Sequence, residues 1–449
     1  MSGRILLLAY NFPPIGGAGA QRNTKLARVL PALGYELTVV TGPETDGHRW
    51  APLDHEFGRE VDERVRVHRL PAPEPPWNSG RRRRAERWLR LRWPWQSWWE
   101  EQAVPLALEV GQDADLIYCS LAPFAIAGSA IRIARTLGKP LVLDLEDPWA
   151  LDEMLSYETA LHRRLELRTM RRVLAAADAI VMNTPESAQR VRDAFPELEG
   201  TPITSIVNGY DAADFSGPLP LRTHRDVLRI VHTGTLHTGA AERRSRVRRL
   251  LGGSIDGLHV RSRSLLYLMR AFDELFAERP ELANRIEVHL AGRLTAADRE
   301  ALGGSSLIRE HGFLSHRATI ALIRSADLLF LPMHDVPAGR RIAIVPCKTY
   351  EYLGSGRPIL AAVPDGDARD FLAASGTARL TRPTDVAGMK AAILDALSRV
   401  DTDASTPAAN PSLLRRLERE SLTANLLEFI EPLFERQAGV EATASRYAV

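Results

Sequence analysis

The chain has 449 residues, 45% apolar and 25% charged, with a formal net charge of +2. That length suits two or three domains, the composition is that of a soluble globular protein, and no global field points to nucleic acid or an acidic polymer. Two cysteines, Cys119 and Cys347, exclude a disulfide framework and a cysteine-spaced zinc site and fit a reducing cytoplasm, and no apolar run reaches the ~18 residues of a membrane span.

Short apolar runs alternate with helical periodicity, twice over. Residues 4–10, 36–41, 65–70, 115–119, 140–143, 179–182 and 203–207 read as strands, with helices predicted at 18–33, 123–137, 158–176 and 186–195. The start reads as a first strand rather than a signal peptide, because no small-residue cleavage site precedes Asn11-Phe12-Pro13-Pro14. The pattern restarts after Asn208-Gly209-Tyr210-Asp211. Strands follow at 228–233, 286–290, 326–331, 359–363 and 378–380, and helices at 264–278, 317–325, 368–374 and 386–399. This alternation implies an α/β chain with two doubly wound, Rossmann-like domains, 1–208 and 209–411, facing a cleft along the carboxyl ends of their sheets. Residues 402–411 read as a polar linker, 412–435 as a helix and 437–449 as disordered.

Chemistry-bearing residues cluster after the strands. The first loop, Tyr10 to Arg22, contains Gly16, Gly17 and Gly19, which let a phosphate or sugar approach the backbone. Arg22 spoils the dinucleotide fingerprint that Gly17 and Gly19 begin. Asp144-Leu145-Glu146-Asp147-Pro148-Trp149 follows a strand, so its carboxylates can orient hydroxyls or supply a base, or form a solvated acidic turn. In the second half, His232-Thr233-Gly234-Thr235 ends a strand and Arg263-Ser264 opens a helix. The intervening residues 239–262 add Arg243, Arg244, Arg246, Arg248, Arg249 and Arg261. Glu310-His311-Gly312-Phe313 lies before another helix.

Val345-Pro346-Cys347-Lys348-Thr349-Tyr350-Glu351-Tyr352-Leu353-Gly354-Ser355-Gly356-Arg357-Pro358 is the most informative stretch. Proline starts a short helix and two glycines stop it. Lys348 and Glu351, three apart, share one face. A cation and a carboxylate at a helix N-terminus suit a nucleoside diphosphate: N–H groups and lysine meet phosphate, and the carboxylate accepts ribose hydroxyl protons.

Residues 77–99 hold six of the eight tryptophans, Trp77, Trp88, Trp93, Trp95, Trp98 and Trp99, among Arg81, Arg82, Arg83, Arg84, Arg87, Arg90 and Arg92. Such composition suits the interface of an anionic bilayer, a groove on a partner or on the protein itself, or stacking on nucleic acid. Pro94 breaks any single long amphipathic helix here.

From about residue 4 to 435 these motifs, in this order, resemble the retaining GT-B glycosyltransferases of the family 4 type. The residue 348–358 run is similar to that family's Lys-x-x-Glu-Tyr-Leu-x-x-Gly-x-Pro element, which holds the donor ribose. Residues 13–18 resemble its Pro-Pro-x-Gly-Gly-Ala loop, and residues 117–123 its Ser-x-Pro-Pro loop. Residues 144–149 resemble its Asp-x-Arg-Asp-Pro-Trp element, with Glu146 in place of arginine. The resemblance implies a GT-B fold, with the 412–435 helix packing back on the first domain. It implies sugar transfer from a nucleotide diphosphate sugar to a glycan or lipid-linked acceptor, with retention, no mandatory enzyme nucleophile and no metal or other cofactor. Gly16, Gly17, Thr235, Arg263, Gly312, Phe313, Lys348 and Glu351 would bind the donor, and Asp144 and Asp147 would act in catalysis. Arg263, Lys348 and the Gly16-Gly17 loop would steady the leaving diphosphate, and the domains would close about Gly209. Family members commonly carry a glutamate where this chain has Ala343, so the sugar contact falls to Asp335 or to backbone in 334–344. The implied setting is cytoplasmic, at the inner face of a bacterial membrane, in surface-polysaccharide or glycolipid assembly, with no nucleic acid partner. Two rivals are an epimerase or phosphorylase on the same fold and a non-catalytic sugar-nucleotide binder.

Overall fold

The structure is a computed structural model that describes residues 3–44, 53–75, 81–218, 226–239, 250–254, 257–402 and 408–447. Trp77 and the arginines at 243, 244, 246, 248 and 249 lie outside these residues, as does half of the expected 402–411 linker. Two compact units emerge. One comprises Met1–Asp152, Leu161–Val207 and Leu422–Val449, and the other Glu153–Ala160 with Asn208–Ser421. The short segment 153–160 therefore belongs to the second unit although its neighbours in sequence belong to the first.

The first unit is built on β1 (Arg4–Ala9), β2 (Glu36–Thr41), β3 (Arg66–Arg69), β4 (Leu116–Ser120), β5 (Leu141–Leu145), β6 (Ala179–Met182) and β7 (Ile203–Ser205). They form one parallel sheet in the order β3-β2-β1-β4-β5-β6-β7. Leu7 stands opposite Val39 on one side and Tyr118 on the other. The central strands are buried on both faces, so they read as apolar runs, interrupted in β5 by Asp144. The chain steps outward from β1, then returns to place β4 beside β1. That reversal puts the β1 and β4 loops at the switch point, where ligands bind in such sheets.

The second unit repeats the plan with β8 (Leu228–Thr233), β9 (Ile286–Ala291), β10 (Ile308–Gly312), β11 (Leu328–Pro332), β12 (Ile359–Ala362) and β13 (Ala378–Thr381). Their order is β10-β9-β8-β11-β12-β13, with the reversal between β8 and β11. Leu268, Phe272 and Leu275 of helix Leu266–Glu278 and Met389 and Ile393 of helix Val386–Thr402 pack into its core. Sequence patterning missed β10, an edge strand whose Arg309, Glu310 and His311 face solvent.

The C-terminal helix expected at 412–435 is two helices, Pro411–Leu417 and Arg419–Tyr447. Asn410 caps the first with its side-chain oxygen. Glu418 between them is extended because it bridges to Tyr210. Arg419 is fastened beside it, donating to the Asn208 carbonyl and pairing with Asp211 at 2.8 Å. The second helix runs on to Tyr447, where disorder was expected; alanine, glutamate and arginine there favour continued helix. Its Leu426, Ile430 and Leu433 are buried, and Phe434 packs on Tyr35 in the first unit. Among the described residues, no helix is long and apolar enough to cross a membrane.

The tryptophan segment forms helices Arg81–Trp88 and Pro94–Val110, broken as Pro94 requires. Trp95 and Trp99 are interior, both edge-on to Tyr10 at centroid distances of 5.1 and 5.8 Å. The Tyr10 hydroxyl and Trp95 Nε1–H both donate to Glu74, at 2.6 and 3.0 Å. These two rings are core, which corrects any reading of the whole segment as a lipid-facing surface. Replacing Trp99 by alanine should destabilise the fold by about 3–5 kcal/mol in urea unfolding, whereas Trp88→Ala, at an exposed ring, should leave the midpoint nearly unchanged.

Candidate functional site

At the carboxyl edge of the second sheet three glycine turns are laced together. Gly234 N–H donates to the Ala291 carbonyl at 2.6 Å, and Gly292 N–H to the Gly312 carbonyl at 2.7 Å. All three glycines have positive φ, and a Cβ on Gly292 would meet the Gly234 oxygen at 2.5 Å. Only glycine lets the β8 and β9 loops approach this closely.

Helix Cys347–Gly354 brings its side chains to this edge. Tyr352 fixes it, since its hydroxyl accepts the Thr233 N–H at 2.9 Å. Lys348 Nζ then lies against Gly234, where an added Cβ would come within 2.8 Å. Lys348 is part-buried, and its ammonium is desolvated with Arg263 near enough to repel it; together these bring its pKa down to about 7. Glu351 is buried, 3.9 Å from His316 Nδ1, and His316 Nε2 lies 2.9 Å from Asp214. Asn208 Nδ2–H donates to Cys347 Sγ at 3.0 Å. Phe313, 44% exposed, follows Gly312 with the Arg293 guanidinium 5.7 Å from its ring centroid. The group offers an anion cradle with an aromatic face beside it.

Ala343 is fully buried and its N–H donates to Glu153 Oε1 at 3.1 Å. A carboxylate therefore does stand at this position, carried by the 153–160 segment. Asp335, one of the two alternatives for the sugar contact, is engaged with Arg382 at 2.6 Å and Thr384 at 3.3 Å.

In the first unit the loops after β1, β4 and β5 converge. Asn23 Nδ2 lies 3.0 Å from the Asn11 carbonyl, 3.3 Å from the Gly19 carbonyl and 3.2 Å from Ser120 Oγ. Ser120 in turn donates to Glu146 at 2.9 Å, and Glu146 Oε2 crowds Gly19. Gly17, at φ 84°, ends this loop and precedes helix Ala18–Ala32, with Gly16 buried behind it. Desolvation, opposed by the Ser120 hydrogen bond and reinforced by Asp144, lifts the Glu146 pKa to about 8. Trp149 nearby holds a left-handed backbone, φ 48°, with its ring stacked on Phe124 at 4.8 Å and its N–H donated to Glu166.

Residues 16–209 match the family described as "Glycosyl transferase 4-like domain". No curated protein sequence matches the chain. Solved structures of similar fold cover nearly all of it. Sucrose-phosphate synthase from Thermosynechococcus elongatus has a TM-score of 0.59 at 15% identity, over 99% of this chain and 100% of that one. α,α-Trehalose 6-phosphate synthase from Burkholderia multivorans gives 0.61 at 14%, over 99% and 100%. Anabaena HepE, in complex with UDP and glucose, gives 0.56 at 14%, over 96% and 100%. Both sheets thus belong to a GT-B fold.

The structure gathers Thr235, Arg263, Gly312, Phe313, Lys348 and Glu351 at one edge of the second unit, and Gly16, Gly17 and Asp147 at one edge of the first. Asp144 is the exception. Strand β5 runs two residues further than its apolar pattern suggested, so Asp144 is a strand residue pointing inward. It is fully buried, ion-paired with Arg22 at 2.6 Å and hydrogen-bonded by the Tyr118 hydroxyl. That carboxylate braces the sheet and meets no acceptor. Glu146, one of the three carboxylates the sequence placed after this strand, takes its place as the perturbed carboxyl of the loop, beside the exposed Asp147. Its replacement of arginine was the signal that marked it.

A carboxyl whose pKa rises on folding stabilises the chain at acid pH and loses that contribution as pH climbs through the folded value. For Glu146 the loss spans the ordinary carboxylate range up to about 8. Glu146→Gln should therefore melt increasingly above wild type between about pH 5 and about pH 9; a constant difference would show an unperturbed carboxyl.

Proposed function

We propose that the protein is a glycosyltransferase that moves a sugar from a nucleoside diphosphate sugar, with UDP as carrier, to a hydroxyl of a glycan or lipid-linked acceptor with retention of anomeric configuration. The observation that carries the reading is the Lys348 ammonium seated on the Gly234 turn beside Arg263. UDP is favoured because HepE, of the same fold, holds UDP and glucose. In this reading the diphosphate lies on the Gly234 turn, the base stacks on Phe313 and Glu351 accepts the ribose hydroxyl protons. The bond from the anomeric carbon to the β-phosphate oxygen breaks, and the acceptor oxygen bonds to that carbon on the same face. The acceptor proton passes to a diphosphate oxygen, so the enzyme need supply no nucleophile. Charge grows on the departing diphosphate, and Lys348 and Arg263 stabilise it there without a metal ion. In the first unit, Glu146 and Asp147 are the carboxylates assigned to the acceptor.

The test is nucleoside diphosphate release from UDP-, GDP-, dTDP- and ADP-sugars. Release from one donor should fall about 10²–10³-fold in Lys348→Ala and persist in EDTA, and Glu351→Ala should weaken nucleotide binding. If wild-type protein binds none of the four nucleoside diphosphates, the donor assignment is wrong. Binding with no release in any acceptor mixture would instead favour the non-catalytic alternative.

We further infer that the protein works at an anionic membrane surface. Trp88, Leu89, Leu91 and Leu161 are 52, 69, 56 and 60% exposed in the first unit. The Trp88 ring lies 5.3 Å from that of His162, which adjoins Leu161, and Arg87, Arg163 and Arg164 flank the group. Exposed leucine and tryptophan amid arginine match an interface of headgroups and acyl chains. Burying each leucine contributes about 1.5–3 kcal/mol, so Leu89→Asp with Leu91→Asp should weaken co-sedimentation with phosphatidylglycerol vesicles by at least about 100-fold. Unchanged sedimentation would remove this surface from membrane binding.

A further inference from the structure

His232 lies near the carboxyl end of β8, buried, and the reaction described above gives it no part. Its Nδ1 is 2.9 Å from the Phe330 carbonyl oxygen. A carbonyl can only accept, so Nδ1 carries the proton and Nε2 presents a lone pair. That lone pair lies 3.3 Å from Lys348 Nζ. Both ends of the contact are anchored in backbone. Phe330 belongs to β11, the neighbour of β8, and Tyr352 ties the lysine's helix to Thr233, the residue after His232. One ammonium N–H is thereby given to the imidazole at the Gly234 turn, and two remain for a ligand.

We propose that His232 is a positioning residue for the donor diphosphate, holding the Lys348 ammonium at the Gly234 turn through a neutral imidazole that accepts its hydrogen bond. This rests on the donor-site reading above. The charges around the pair explain why an acceptor is needed. Burial and Arg263 work against the lysine's charge, while Glu351 and Cys347 favour it. Burial holds the imidazole well below its usual pKa, and Lys348, Arg263 and His237 add to that, so it stays neutral when the lysine is charged. A second cation at this place would repel the first; a lone pair does not. Lys348 in the free protein loses its proton as pH rises through about 7, so diphosphate affinity should fall above that pH.

The test is calorimetric titration of UDP, and of inorganic pyrophosphate as a probe without a base, into the full chain between about pH 6 and about pH 9. His232→Asn keeps a donor for Phe330 but is too short to reach Lys348, whereas His232→Gln places an acceptor oxygen where Nε2 stood. We expect His232→Asn to bind both ligands about tenfold more weakly, the loss of one charge-assisted hydrogen bond, with the alkaline fall in affinity moved to lower pH. His232→Gln should restore both properties. Equal binding and an unmoved pH midpoint in His232→Asn, with Lys348→Met impaired, would overturn the role of His232 alone. Equal losses in the Asn and Gln variants would also overturn it. Lys348→Met binding as wild type does would remove the donor site and this proposal together. Should a variant not fold, nitrogen NMR of the wild-type ring decides: His232 should stay neutral with its proton on Nδ1 between about pH 5 and about pH 8, and protonation in that range overturns the proposal.

Discussion

Parallel strands can be joined only by crossovers, and the place where those crossovers change direction leaves the carboxyl ends of two neighbouring strands without a covering helix. Each unit of this protein has one such place, between β1 and β4 and between β8 and β11. The chemistry follows that constraint. Glu146, Gly17 and Ser120 lie at the first reversal or one strand beyond it, and Gly234, His232 and Lys348 at the second. A buried sheet is rigid because its backbone is fully paired, so side chains hung from its edge inherit that rigidity. Closely packed glycine turns at the same edge leave room for a ligand's phosphates where side chains would otherwise stand.

The two edges handle charge differently. In the first unit Arg22 and Asp144 neutralise one another inside the sheet, with the Tyr118 hydroxyl as a further donor. Buried pairs of this kind add little net stability, yet removing one partner strands the other, at a cost of about 3–5 kcal/mol. In the second unit burial and Arg263 work against the Lys348 charge, while Glu351 and Cys347 favour it. Lys348 and Arg263 repel one another in a desolvated place, a cost that an incoming dianion removes.

Much of this was legible in sequence wherever the signal was local. Double-faced burial makes β1, β4, β5 and β6 apolar runs, and the three-residue spacing of Lys348 and Glu351 places them on one helical face. What escaped was set by tertiary neighbours. The edge strand β10 carries charged residues on exposed positions and so lacks a strand's pattern. For Trp95 and Trp99 the composition left bilayer, partner and self-packing open, and their contacts with Tyr10, just after β1, decide for the core. Asp144 and Glu146 differ only in how far β5 extends, and two residues of strand exchanged their roles. Glu153 reaches the Ala343 backbone from 190 positions away, beyond any local pattern.

The two cysteines have unlike surroundings. Cys119 is sealed within β4, where burial pushes its thiol far above the usual range, whereas Cys347 is part-exposed, next in the chain to Lys348. Thiol reagents act on accessible thiolate, so an alkylating fluorophore or spin label should go to Cys347 alone without any engineering. The protein thus carries a built-in attachment point at the start of its lysine-bearing helix. A reporter there would sense occupancy of the Gly234 turn directly, and shielding of the thiol by a bound nucleotide would give a footprint in mass spectrometry.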